Sequence, residues 1–148
     1  MILKINKVGI FGKPDNKGLF NTIDKIFDIV QSVTPEIEIF VEQSTAKCSY
    51  IEDNTILRGK KVFIGTIEKL KNSIELAIVL GGDGTLLGVA RQLASSGVYV
   101  VGVNKGKLGF TTDLDSNSLE LDLPPLLVGD GMVEKRDMFD VSVLRKKK

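Results

Sequence analysis

Leu76-Ala77-Ile78-Val79-Leu80 is an unbroken apolar run, and it opens directly on Gly81-Gly82-Asp83-Gly84-Thr85. Five apolar residues without alternation suit a strand buried on both faces, which is the condition of a central strand in a parallel sheet. The residues after the glycines carry Leu86, Leu87, Ala90, Leu93 and Ala94 at helical spacing, with Gly97 placed to end the helix. Val98–Val103 is a second buried strand. Upstream, Ile5–Phe11 reads as the first strand and stops at the turn cluster Gly12-Lys13-Pro14-Asp15. Leu19, Phe20, Ile23, Ile26, Phe27, Val30 and Val33 then step by three and four, predicting a helix that ends before Pro35. Glu36–Val41 alternates as a strand, and a helix is expected around Thr45–Ile51. Residues 52–73 read as weak, polar connections. Strands alternating with helices imply right-handed βαβ units. The expected fold is therefore α/β, a Rossmann-like, mostly parallel sheet with helices on both faces.

Beyond Asp115 the pattern changes. Pro124-Pro125 confines any helix in Ser116–Val128 to starting near that pair. Phe139-Asp140-Val141-Ser142-Val143 alternates like a half-exposed strand. The expected division is a Rossmann-like nucleotide-binding domain over residues 1–128. Residues 129–148 would be the truncated start of a second, β-rich domain with a basic tail.

Composition narrows the function classes. With 148 residues and 43% hydrophobic content there is material for one full-sized core. The net charge of +1 depends on the terminal Arg145-Lys146-Lys147-Lys148, so the body ahead of it is mildly acidic. No broad basic patch announces nucleic acid as a partner. The single cysteine and the absence of histidine exclude an internal disulfide, a Cys/His zinc site and a Ser-His-Asp triad within these residues. The N-terminal residues lack a secretory pattern, and no apolar run approaches a membrane span. A cytoplasmic protein with no membrane partner is expected.

The loop at 81–85 lies where an open α/β sheet binds ligands, beyond the carboxyl ends of its strands. Glycines admit a phosphate to the backbone, and the helix N-terminus supplies free N–H groups. The plainer reading is a tight turn in which Asp83 or Thr85 caps the helix. Two familiar phosphate loops do not match: G-x-G-x-x-G would need glycine at Leu87, and none of the Gly-Lys pairs completes G-x-x-x-x-G-K-[ST]. A central carboxylate sets this loop apart. Asp83 would repel a bare phosphate, so it should face a divalent cation or a hydroxyl that must lose its proton. Phosphoryl transfer to a hydroxyl needs such an oriented carboxylate, and the helix N-terminus keeps it ionised.

A second cluster runs from Asn104 through Lys105-Gly106-Lys107-Leu108-Gly109-Phe110-Thr111-Thr112 to Asp113. It follows the neighbouring strand and should border the same crevice. Asn104 can bond a ribose or phosphate, and Phe110 can offer a face to a ring. The alternative makes Phe110 a core plug and the glycines turn formers.

Taken in order, Gly81-Gly82-Asp83-Gly84-Thr85 and Asn104-Lys105-Gly106-Lys107-Leu108-Gly109-Phe110 resemble the NAD kinase family. Val8-Gly9-Ile10-Phe11-Gly12-Lys13-Pro14, Val41-Glu42-Gln43 and Asp113-Leu114-Asp115 also resemble its bacterial members. The first motif alone is shared with lipid kinases and phosphofructokinases; the ordered pair is far more specific. The resemblance implies transfer of a phosphoryl group from ATP to the adenosine 2′-hydroxyl of NAD, giving NADP, with a divalent cation, magnesium, accompanying ATP. It implies that Asp83 takes the hydroxyl proton. Asp83 and Gly84 would touch the dinucleotide, Phe110 would contact one of its rings, and Gly81, Gly82 and Thr85 would shape the phosphate site. It also implies a homo-oligomer in the full-length family. Where many members carry a basic residue this chain has Gly88. Members are also much longer, with a second domain carrying an Asn-Glu pair that completes the NAD site. This chain alone is thus expected to be a poor kinase. A lipid or sugar kinase, or an inactive nucleotide-binding fragment, are the competing readings.

Overall fold

The computed structural model describes residues 3–13, 18–105 and 109–146. Pro14 and Asp15 of the first turn cluster, and Gly106-Lys107-Leu108 of the second motif, lie outside them.

Strand β1 (Lys7–Gly12) leads to helix α1 (Leu19–Val33). Leu19, Ile23, Ile26, Phe27 and Val30 form its buried stripe, while Phe20 and Val33, also at apolar spacing, fall off that stripe and are exposed. Strand β2 (Glu38–Glu42) follows, with Ile39 and Val41 turned into the core. Helix α2 (Gln43–Cys48) starts earlier than its apolar content suggests, because Glu42 caps it. The Glu42 carboxylate accepts from the amides of Ser44 and Thr45, each at 3.0 Å.

Residues 52–73, read from sequence as connections, instead add two strands and a short helix. These are β3 (Ile56–Leu57), β4 (Lys60–Gly65) and α3 (Ile67–Leu70). Arg58 and Gly59, with φ of 49° and 78°, make the two-residue turn between β3 and β4. Lysines at 60 and 61 mask the apolar Val62-Phe63-Ile64 that follows, which is why periodicity misses β4. Arg58 also grips Asp24 of α1 through two bonds of 2.9 and 2.6 Å.

The remaining elements are β5 (Leu76–Leu80), α4 (Asp83–Leu93), β6 (Tyr99–Asn104), β7 (Leu114–Asp115) and α5 (Leu119–Leu127). The seven strands lie in the order β3-β4-β2-β1-β5-β6-β7, all parallel except the β3–β4 pair. Without β3, the six parallel strands in chain order read 3-2-1-4-5-6, the doubly wound arrangement. All five residues of β5 are buried. Leu76, Ile78 and Leu80 face a core shared with α1 and α5. Ala77 and Val79 face a second core under α3 and α4. Helices thus cover both faces, as expected.

Four expectations are corrected. Leu87 and Ala94 lie on the solvent side of α4, and only Leu86 and Leu93 are buried. Strand β6 is less enclosed than an apolar run suggests: Tyr99 is exposed because β7 pairs only with Val103 and Asn104. Helix α5 does not wait for the prolines; Pro124 and Pro125 sit inside it. They remove two intrahelical donors. The helix is held instead by Leu119, Leu123 and Leu127, all buried on one stripe, and by Lys25 of α1 at 2.9 Å from Glu120. The strand expected at Phe139–Val143 is also absent. That segment has no pairing among the described residues, and Phe139, Val141 and Val143 are exposed.

Glu75, just ahead of β5, ties the start of β1 to the sheet. Its carboxylate accepts from the amides of Asn6 and Lys7 at 2.5 and 3.0 Å. Burial alone would raise the Glu75 carboxyl, but these bonds outweigh it and hold the group below its ordinary value of 4.5. A carboxyl depressed in the folded chain adds stability above its unfolded value and loses it as pH falls through the folded one. Urea unfolding should therefore show stability declining below the ordinary glutamate value of 4.5. Glu75→Gln should be less stable than the parent at pH 7 and decline less steeply; a parallel decline would exclude this carboxyl as a contributor.

Candidate functional site

Three carboxyl ends converge. Gly12, Leu80 and Val103 share one row of the sheet. The Lys13 amide bonds the Leu80 carbonyl at 3.3 Å, and the Gly81 amide bonds the Val103 carbonyl at 3.0 Å. The chain leaves β1 towards β2 on one side and returns as β5 on the other. This is the switch point at which doubly wound sheets open a crevice.

Gly81 must be glycine on two counts. Its φ is +156°, and an added Cβ would stand 2.8 Å from Thr85 Oγ1. Gly82 occupies the N-cap of α4 with no side-chain cap, so neither Asp83 nor Thr85 serves as the cap. Gly82 and Gly84 have open space where a side chain would go, and so does Gly88. The loop is thus bare on its outer side, with Asp83 as the first residue of the helix.

Asp83 reaches across to the loop after β6. Its Oδ1 accepts from the Thr111 hydroxyl at 2.7 Å and the Thr111 amide at 3.0 Å. Its Oδ2 accepts from the Phe110 amide at 3.0 Å. The Thr111 hydroxyl foremost, then the Thr111 and Phe110 amides, hold the Asp83 carboxyl below the usual aspartate range. The group is ionised at neutral pH. Gly109 makes the approach possible, since a Cβ there would run into the Asp83 carboxylate.

Asn104, at the end of β6, joins the same assembly one step removed. Its Nδ2 donates to Thr112 Oγ1 at 3.4 Å, and the Gly109 amide donates to the same hydroxyl oxygen at 3.1 Å. The Phe110 ring is fully exposed, so it is not a core plug. Lys105 places its Nζ beside Gly18 at the start of α1. The structure therefore joins Asp83, Phe110 and Asn104 through the turn at 109–112, with Gly81, Gly82, Gly84 and Thr85 in the adjoining loop and first turn of α4. Sequence reasoning passed over Gly109, Thr111 and Thr112 as site residues. Their one signal was position, as a glycine and two hydroxyls flanking Phe110. Among the described residues no group of three or more His, Cys, Asp or Glu side chains is placed to hold a metal ion. No helix among them is long and apolar enough to cross a membrane.

A doubly wound sheet with a bare glycine loop and an oriented carboxylate at its switch point defines a Rossmann-like α/β domain. Residues 8–130 match the family model described as the ATP-NAD kinase N-terminal domain, and the chain belongs to that family. An NAD kinase of Colwellia psychrerythraea is 36% identical over 138 residues, covering 93% of this chain and 44% of that protein. An NAD kinase of Escherichia coli is 35% identical over 136 residues, covering 92% and 43%. The chain thus spans less than half the length of these curated relatives. The crystal structure of yeast NADH kinase complexed with NADH shares the fold. Its TM-score is 0.71 at 20% identity, over 86% of this chain and 39% of that one.

Proposed function

We propose that this domain contributes the phosphoryl-transfer loop of an enzyme that moves the γ-phosphoryl group of ATP to the adenosine 2′-hydroxyl of NAD, forming NADP. The observation that carries the reading is the Asp83 carboxylate, ionised and oriented at the switch-point crevice beside the exposed Phe110 ring. As the 2′-oxygen bonds to the γ-phosphorus, the bond from that phosphorus to the ADP oxygen breaks. The hydroxyl proton passes to Asp83. In a loose transition state the proton leaves late, so a carboxylate of low basicity suffices. Gly81, Gly82, Gly84 and Thr85 would admit the phosphates, Asn104 a ribose or phosphate oxygen, and Phe110 a ring of the dinucleotide. A divalent cation, magnesium, would enter with the ATP phosphates, and no protein cage is assigned to it.

The same reading takes residues 1–128 as the nucleotide-binding domain and 129–148 as the start of a second one. It includes a homo-oligomeric, cytoplasmic enzyme with no nucleic-acid partner. Two measurements test it. NAD added to the labelled chain should shift the amide resonances of Asp83, Gly84 and Phe110, and a sugar or diacylglycerol acceptor should not; the reverse preference would overturn the reading. With ATP, magnesium and NAD, these 148 residues should form NADP at least about a hundredfold more slowly than a full-length family member, since misplacing reactants by about 1 Å has that effect. Saturable turnover near the full-length rate, abolished by Asp83→Asn, would show that this chain needs no further contacts.

A further inference from the structure

Among the described residues, the hydroxyl of Thr112 ties the base of the loop that grips Asp83 to the end of β6. Thr112 is among the few buried polar residues, at 7% exposure. Its Oγ1 accepts from Asn104 Nδ2 and from the Gly109 amide, so one oxygen joins the end of β6 to the base of the Asp83-binding turn. The backbone next to it is equally constrained. The Asp113 amide bonds the Gly102 carbonyl at 3.0 Å. A Cβ on Gly102 would stand 3.1 Å from both Thr112 Cα and Cγ2, so Thr112 is seated directly on β6. The methyl packs against the sheet at Gly102 while the hydroxyl turns to Asn104 and Gly109. These are two separable jobs for one side chain.

We propose that Thr112 is a positioning residue for the site: its hydroxyl locks Asn104 and the Gly109–Thr111 turn into one frame, and through that turn sets the Asp83 carboxylate. Without the hydroxyl, Gly109 loses its acceptor, and the turn that carries the Phe110 and Thr111 amides is no longer anchored at its start. Asp83 keeps its partners but not their fixed direction. Thr111 cannot substitute, because its own hydroxyl and amide are both committed to Asp83 Oδ1. The catalytic part of the proposal rests on the phosphoryl-transfer reading; the structural part does not.

Thr112→Val keeps the shape and removes the hydroxyl, whereas Thr112→Ser keeps the hydroxyl and removes the methyl. The first arm uses the labelled chain without nucleotide. Amide proton shifts of Phe110 and Thr111, displaced by the Asp83 carboxylate, should move in Thr112→Val towards their positions in Asp83→Asn, and stay at parental values in Thr112→Ser. The second arm places both variants in a full-length family member that has the same Asn, Asp and Thr. There Thr112→Val should lower kcat by about tenfold or more while KM for ATP changes less than about twofold, with Thr112→Ser restoring most of kcat. Unmoved amide shifts in Thr112→Val, or a Ser variant as impaired as the Val variant in either arm, would overturn the proposal. Should Thr112→Val fail to fold, the Ser variant still decides, since displaced shifts with the hydroxyl present refute the role. A full-length parent that does not phosphorylate NAD would refute the enzyme reading and leave the first arm standing.

Discussion

Asp83→Asn, placed in a full-length family member, is expected to lower turnover by about 10²–10⁴-fold, the range typical of losing a positioned proton acceptor. The change preserves size but removes the charge. It also puts an N–H₂ group where one of the oxygens accepts from Phe110 or Thr111, so a donor then faces a donor. Two effects follow, and kinetics separates them. Loss of the proton acceptor lowers kcat with KM for NAD nearly unchanged. Loosening of the Phe110 turn raises KM. The assigned role requires the first to dominate. Turnover within about twofold of the parent, against an expected fall of at least a hundredfold, would remove Asp83 from the chemistry.

Ile78→Ala should have the largest effect on stability, on the order of 2–5 kcal/mol. Ile78 is the middle residue of the most enclosed strand, has no exposed surface, and stands in register between Ile10 of β1 and Val101 of β6. Neighbours on a parallel ladder cannot move in to fill the cavity without breaking backbone bonds. Against the roughly 5–15 kcal/mol available to a domain of this kind, the variant should unfold at a clearly lower urea concentration. A loss below about 1 kcal/mol would mean that the sheet around β5 collapses onto the cavity.

Much of the architecture is legible in the chain because burial leaves a mark on composition. The run Leu76–Leu80 is buried on both faces and reads so; α1 shows its stripe. Strand β4 is hidden because its lysines sit at the near end, although Arg58-Gly59 signals the turn that creates it. Helix α5 misleads because two prolines outweigh, in local propensity, three leucines whose partners on α1 are distant in sequence. Phe139–Val143 has a strand's alternation, but alternation alone supplies no partner for its backbone groups. At the site, Asp83, Asn104 and Phe110 stand out by chemistry and spacing. Thr111 and Thr112 do not, because their importance lies in which atoms they reach, and that is decided by the return of the chain alongside β6.

The bonds from Phe110 and Thr111 to Asp83 join the loops that follow β5 and β6. Free energy spent at one loop is therefore registered at the other. A ligand that draws the Asp83 carboxylate towards itself leaves the Phe110 amide without its acceptor, and a ligand that settles on the Phe110 ring steadies the carboxylate. Thermodynamic reciprocity makes the two influences equal in size. On the proposed function, a ligand at the glycine loop and a ligand at the Phe110 face would bind with a shared coupling, whose sign depends on whether the first ligand keeps or breaks that carboxylate bond.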